Sequence, residues 1–201
     1  MRRLEKSNKG RSKGGCVSAF IKFLLFLLFI IVVAVVLMGK YNDSDIAQKI
    51  RKKQYPIKYE HFVDTYSAKY NLDKFLVLSV IRTESRFDVY AVSSVGAKGL
   101  MQITDETGRE CAKKIGIDGY TDDMLFDPET NIQIGCYYLN RLIKHYGDTD
   151  VALAAYNGGP GNVDKWIEEQ QGIDVENIPF PETRQYVKKV NEAYRMYKNI
   201  Y

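Results

Sequence analysis

Val17 to Met38 is a run of 22 residues in which Lys22 is the sole charged side chain. As a helix rising 1.5 Å per residue it reaches about 33 Å, enough to cross a hydrocarbon core of about 30 Å. Lys22 stands near its start and can snorkel to the closer interface. Arg2, Arg3, Lys6, Lys9, Arg11 and Lys13 precede the run, and Glu5 is the single acid before position 40. That bias predicts a cytoplasmic basic tail at 1–16, a single-pass helix at 17–38 and an extracytoplasmic remainder. The competing pattern is a cleaved leader, with an apolar region of only about 7–15 residues and a small-x-small site. Val36-Leu37-Met38-Gly39 fits such a site poorly, and Cys16 precedes the run rather than following it. An uncleaved anchor in the cell membrane is the expectation.

The charge balance divides at the same place. The whole chain carries +4, yet 22 basic and 24 acidic side chains remain from residue 40 onward. The exported part is therefore mildly acidic, which excludes a reading as a nucleic-acid binder built on bulk positive charge. Three cysteines are too few for a disulfide-built fold. Cys111 and Cys136 fall in expected helices, and their spacing leaves open whether they pair.

Residues 39–55 read as a polar juxtamembrane stalk, with Lys49, Arg51, Lys52 and Lys53 on a short helix suited to a solvated spacer or to anionic lipid or wall polymer. Tyr55-Pro56 marks the domain boundary, because the residue before proline avoids helix. From there helices follow one another. Glu60–Lys69 has helical spacing, Asp73 caps the next helix, and Thr104 with Asp105 and Glu106 opens another. Asp127-Pro128-Glu129 starts a long helix that Gly147 stops. Shorter helices are expected at 150–156 and 162–170, and a last one from Glu182 to the end. Strand-like alternation of useful length is missing, so 56–201 reads as one all-α domain.

Val77, Val80, Ile81 and Glu84 share one helical face. The helix thus aims a carboxyl group along its apolar stripe, at the C-terminal end where the dipole disfavours negative charge. Both effects raise a carboxyl pKa and suit a general acid. The same spacing also fits a surface glutamate paired with Arg82 or Arg86. Around it stand Ser85-Arg86-Phe87, Ser93, and Gly99-Leu100-Met101-Gln102. Farther on come Asn131 through Leu139, Ala154-Ala155-Tyr156-Asn157-Gly158-Gly159-Pro160-Gly161, and Pro181-Glu182-Thr183-Arg184-Gln185-Tyr186-Val187.

These four blocks, in this order, resemble the lytic transglycosylases of the family 1 type, whose catalytic domain has a goose-lysozyme-like fold. The resemblance spans essentially all of 56–201. It implies that Glu84 is the single acid/base and that Ser93 and Gln102 line a sugar groove. It further implies that Tyr156, with Asn157 beside it, contacts the sugar and that Glu182 supports the site. The chain departs from the family pattern at Ile103-Thr104-Asp105, where Leu-Met-Pro is frequent, and at Val89, where proline is frequent.

The implied substrate is the glycan strand of peptidoglycan, cut between N-acetylmuramic acid and N-acetylglucosamine with a 1,6-anhydro end as product. A hydrolytic muramidase on the same fold and a non-catalytic glycan-binding scaffold are the alternatives. No cofactor is implied, and His61 and His145 lack ligand-spaced partners for a metal. Tyr186, Val190, Ala193, Tyr194, Tyr197 and Tyr201 fall on one face of the last helix and read as core.

Overall fold

The computed structural model describes residues 14–42, 45–170 and 172–201. Most of the basic tail expected at 1–16 lies outside them. The chain divides into two compact units, one ending at Arg51 and one comprising Lys52–Tyr201. In the first, α1 (Gly14–Asn42) outruns the apolar stretch at both ends. Its segment Phe20–Lys40 is long and apolar enough to cross a membrane, and its side chains are exposed. The helix α2 (Asp45–Gln54) begins three positions after α1 ends and runs through the division between the units.

The second unit is helical, and among its described residues only isolated bridges at Val92, Lys98 and Ile103 take extended pairing. Its helices are α3 (Glu60–Lys69), α4 (Lys74–Glu84), α5 (Asp105–Ile115) and α6 (Pro128–Tyr146), then α7 (Thr149–Gly158), α8 (Pro160–Gln170) and α9 (Pro181–Ile200). Local chemistry sets the starts. The Asp73 carboxylate accepts from Phe75 N at 2.8 Å, Asp127 from Thr130 N at 2.8 Å and Asp148 from Val151 N at 2.9 Å. Each cap satisfies an amide that the first helical turn leaves open. The glycine-rich stretch interrupts helix less than the sequence suggests. Gly159 alone breaks it, α7 continues through Gly158, and α8 starts on Pro160, whose missing N–H costs nothing there.

Packing follows the apolar faces. The last helix, α9, lies against α4 and α7, while α6 packs on α3, α5 and α7. Val77, Val80 and Ile81 of α4 are fully buried, as are Val187 and Val190 of α9. Burying each such side chain contributes about 1.5–3 kcal/mol. The domain's first residues are tied to its last helix. The Tyr197 hydroxyl donates to Pro56 O at 2.9 Å and that of Tyr201 to Tyr55 O at 3.1 Å. Cys111 and Cys136 are both buried and free. Burial pushes the Cys111 thiol up to about 11 and that of Cys136 higher still.

Candidate active site

Glu84 is the last residue of α4, directly after the buried stripe of Val77, Val80 and Ile81. It is half-buried, and loss of solvent around its carboxyl drives the pKa up to about 7. Against burial stands Tyr186 of α9, whose hydroxyl lowers the Glu84 pKa by favouring the ionised form. That hydroxyl is itself buried and closes no hydrogen bond of ordinary geometry. Its influence on Glu84 is therefore a near approach, not a completed bond. Burial raises the Tyr186 phenol well above its ordinary pKa, and the Glu84 charge adds to the effect.

Tyr156 closes the third side. Its hydroxyl donates to Met101 O at 2.7 Å, and burial followed by the Glu84 charge raises its pKa strongly. Its ring meets Tyr138 at 5.3 Å between centroids. The phenolic proton is thus committed to a backbone carbonyl, which leaves the ring for contact with a ligand.

The segment 98–103 adjoins the end of α4, and two elements hold it. From the C-cap of α4, the Ser85 hydroxyl donates to Leu100 O at 2.9 Å. From α6, fully buried Asn131 accepts from Met101 N at 2.8 Å and donates to Leu125 O at 2.7 Å and Lys98 O at 3.0 Å. A Cβ on Gly99, which has φ +72°, would collide with Leu125 O and the Asn131 amide. Only glycine both takes that backbone conformation readily and leaves room for the clip. One turn beyond Asn131, a Cβ on Gly135 would strike the Met101 sulfur, so α6 approaches the segment closely at both places.

The residues expected from the sequence divide into two groups. Glu84 and Tyr156 are near enough to interact, and Gln102 follows Met101, whose carbonyl accepts from Tyr156. Gln102 is held at φ +48° while its amide donates to Gly99 O at 3.0 Å and Ala91 O at 3.1 Å. Ser93 belongs to the adjoining loop, where its hydroxyl accepts from Ala97 N at 3.0 Å and Val95 N at 3.3 Å. Asn157 and Glu182 are exposed. Glu182 occupies the first turn of α9, and Arg184 donates to Glu176 O instead of pairing with it.

Two members of the site are not singled out by the sequence. Tyr186 reads as core by helical spacing, and its burial fits that, but its hydroxyl faces Glu84. Asn131 was visible only as part of a block. An amide between Thr130 and Ile132 in the first turn of a helix is the available signal, and once buried it demands partners. Tyr186→Phe removes the group that favours the Glu84 carboxylate. The midpoint of Glu84, followed by carbon NMR of its carboxyl, is expected to rise above that of the parent. A midpoint that stays or falls contradicts the assignment of Tyr186.

Residues 61–178 match the family model described as the transglycosylase SLT domain. The chain is 38% identical over 155 residues to the soluble lytic murein transglycosylase of Escherichia coli strain K12, covering 73% of this chain and 24% of that protein. It is 34% identical over 167 residues to the membrane-bound lytic murein transglycosylase C of Cronobacter sakazakii, covering 70% of this chain and 46% of that one. The crystal structure of the 70 kDa soluble lytic transglycosylase from Escherichia coli superposes with a TM-score of 0.70 at 36% identity, over 74% of this chain and 25% of that one. The chain thus spans about a quarter of the soluble relative and under half of the membrane-bound one.

Proposed function

This chain belongs to the transglycosylase SLT family, and from that premise we propose that it is a peptidoglycan lytic transglycosylase. It cleaves the β-1,4 bond between N-acetylmuramic acid and N-acetylglucosamine and leaves a 1,6-anhydro end, in remodelling of the cell wall. The observation that carries the reading is the carboxyl of Glu84, raised to about 7 and flanked by Tyr156 and Tyr186, with no second carboxylate acting on it among the described residues. Two-carboxylate glycosidases place a nucleophile or base opposite the acid. Here one group serves both steps.

In the first step the Glu84 proton passes to the departing glycosidic oxygen as the bond to C1 breaks. The resulting carboxylate then takes the proton of the C6 hydroxyl on the same muramic residue, and O6 bonds to C1. Glu84 ends as it began, and no water is consumed. The nucleophile is already attached to the substrate, so the proximity advantage is intrinsic to it. A pKa near 7 suits a group that must give and then take a proton at neutral pH. Ser93, Gln102, Tyr156, Asn157 and Glu182 are assigned to glycan binding, with Tyr186 tuning the acid.

Membrane attachment through residues 17–38, with the N-terminus in the cytoplasm and 56–201 outside, completes the reading. Its support is the apolar span Phe20–Lys40. Digestion of purified peptidoglycan by the full chain, with mass spectrometry of the released muropeptides, tests the chemistry. Products lacking one water and having no reducing end are expected. Hydrated reducing ends assign the chain to the muramidases, and intact glycan makes it a binding protein.

A further inference from the structure

A cationic face lies where the catalytic domain joins its stalk. Two adjoining grooves of about 580 and 480 Å³ share Gln54, Arg82 and Arg86. Lys189 lines the first, and Lys53 and Lys58 line the second. Glu192 is the single carboxylate lining either one. Among the described residues none of the five cations forms a salt bridge, whereas Lys74, Lys98, Arg109, Arg141, Lys188 and Lys198 all do. Arg82 instead lies over the Tyr55 ring at 4.0 Å and donates to Gln54 O at 3.1 Å, and Lys58 lies 5.9 Å from the centroid of the Phe87 ring. Aromatic and backbone partners position these charges without neutralising them. On a chain that is mildly acidic from residue 40 onward, such a concentration marks an anion-binding surface.

Covalent connectivity points to the anion. Lys53 and Gln54 are the last residues of α2, a helix about 15 Å long that begins three positions after α1 ends. A surface tethered so close to an apolar span meets lipid headgroups at high effective concentration, and individually weak attractions then add. We propose that Lys53, Lys58, Arg82, Arg86 and Lys189 form a docking surface for the phosphate headgroups of an anionic bilayer. The inference rests on the reading that α1 spans the membrane. Docking would hold the domain in one orientation over the lipid, with Glu84 placed relative to the bilayer by its neighbours Arg82 and Arg86.

Amine-reactive labelling of the full chain in lipid nanodiscs tests this, comparing phosphatidylcholine with a mixture rich in phosphatidylglycerol. Lys58 and Lys189 are expected to label about three- to fivefold more slowly in the anionic discs, with Lys113 and Lys165 unchanged. High salt should erase the difference. The double variant K58E/K189E should lose the protection at Lys53. Equal labelling in the two kinds of disc, with the chain incorporated, overturns the docking surface alone. Failure to incorporate overturns the anchoring reading and docking with it. Protection by soluble poly(glycerol phosphate) or by acidic stem peptides, with none from anionic lipid, reassigns the surface to the wall and refutes the bilayer proposal.

Discussion

Glu84→Gln is expected to slow release of muropeptides by about 10²–10⁴-fold, the range over which a positioned acid/base contributes. The amide fills the same space but neither donates a proton to the leaving oxygen nor takes one from the C6 hydroxyl. The substitution should also change stability, with a sign that separates a catalytic loss from a folding defect. The Glu84 pKa rises from an ordinary 4.5 to about 7 in the folded chain. Below pH 4.5 the carboxyl is neutral in both states and costs nothing. Between 4.5 and 7 the unfolded chain ionises first, so stability falls as pH rises, and above 7 the loss is complete. Gln carries no such cost. The variant should therefore match the parent near pH 4 and exceed it at pH 8 by about 1–3 kcal/mol, reduced from the full shift by the partial exposure of the group. Thermal melts at the two pH values read this directly. A variant that cleaves normally removes Glu84 from the chemistry, and one that is less stable at pH 8 contradicts its burial as a charge.

Asn131→Ala is the second large effect. Its amide serves Met101 N, Leu125 O and Lys98 O, and its exposure is zero. Truncation leaves three backbone groups facing a cavity, at about 3–5 kcal/mol in total. In a domain of this size the melting temperature should fall by about 8–15 °C. The loss should also reach the site, because the freed segment carries Gln102 and the carbonyl that holds Tyr156. Asn131→Asp keeps the acceptor for Met101 N but turns an acceptor toward two carbonyls, and should be no better. A fall of only a degree or two would mean that Ser85 and Gly99 hold the segment without the clip.

Periodicity and capping made the helices legible. The caps at Asp73, Thr104 and Asp127 mark three starts, and each side chain accepts the bond its position implies. Gly147 ends α6 in a left-handed conformation, which glycine adopts without strain. The glycine-rich stretch after Asn157 was harder to read. Glycine permits a break but does not require one, and packing kept Gly158 helical. Close approach of Thr183 and Trp166 leaves little room for a side chain there. The carboxyl at the end of an apolar stripe could be found from spacing because a single helix supplies both. Tyr186 could not, since which buried tyrosine turns its hydroxyl toward Glu84 depends on how α9 lies on α4. That is a tertiary fact with no local pattern. Asn131 hides for the same reason, because its partners lie 6 to 33 residues away.

The two buried thiols bear on how the domain matures. With a pKa of about 11, Cys111 is ionised in about one molecule in ten thousand at neutral pH, and Cys136 in fewer. Thiol–disulfide exchange runs through the thiolate, so both are slow partners for any oxidant or isomerase. Packing, caps and the Asn131 clip hold the domain together, and no disulfide links Cys111 to Cys136. Reducing conditions have no covalent link here to break, and oxidising ones find no ready nucleophile.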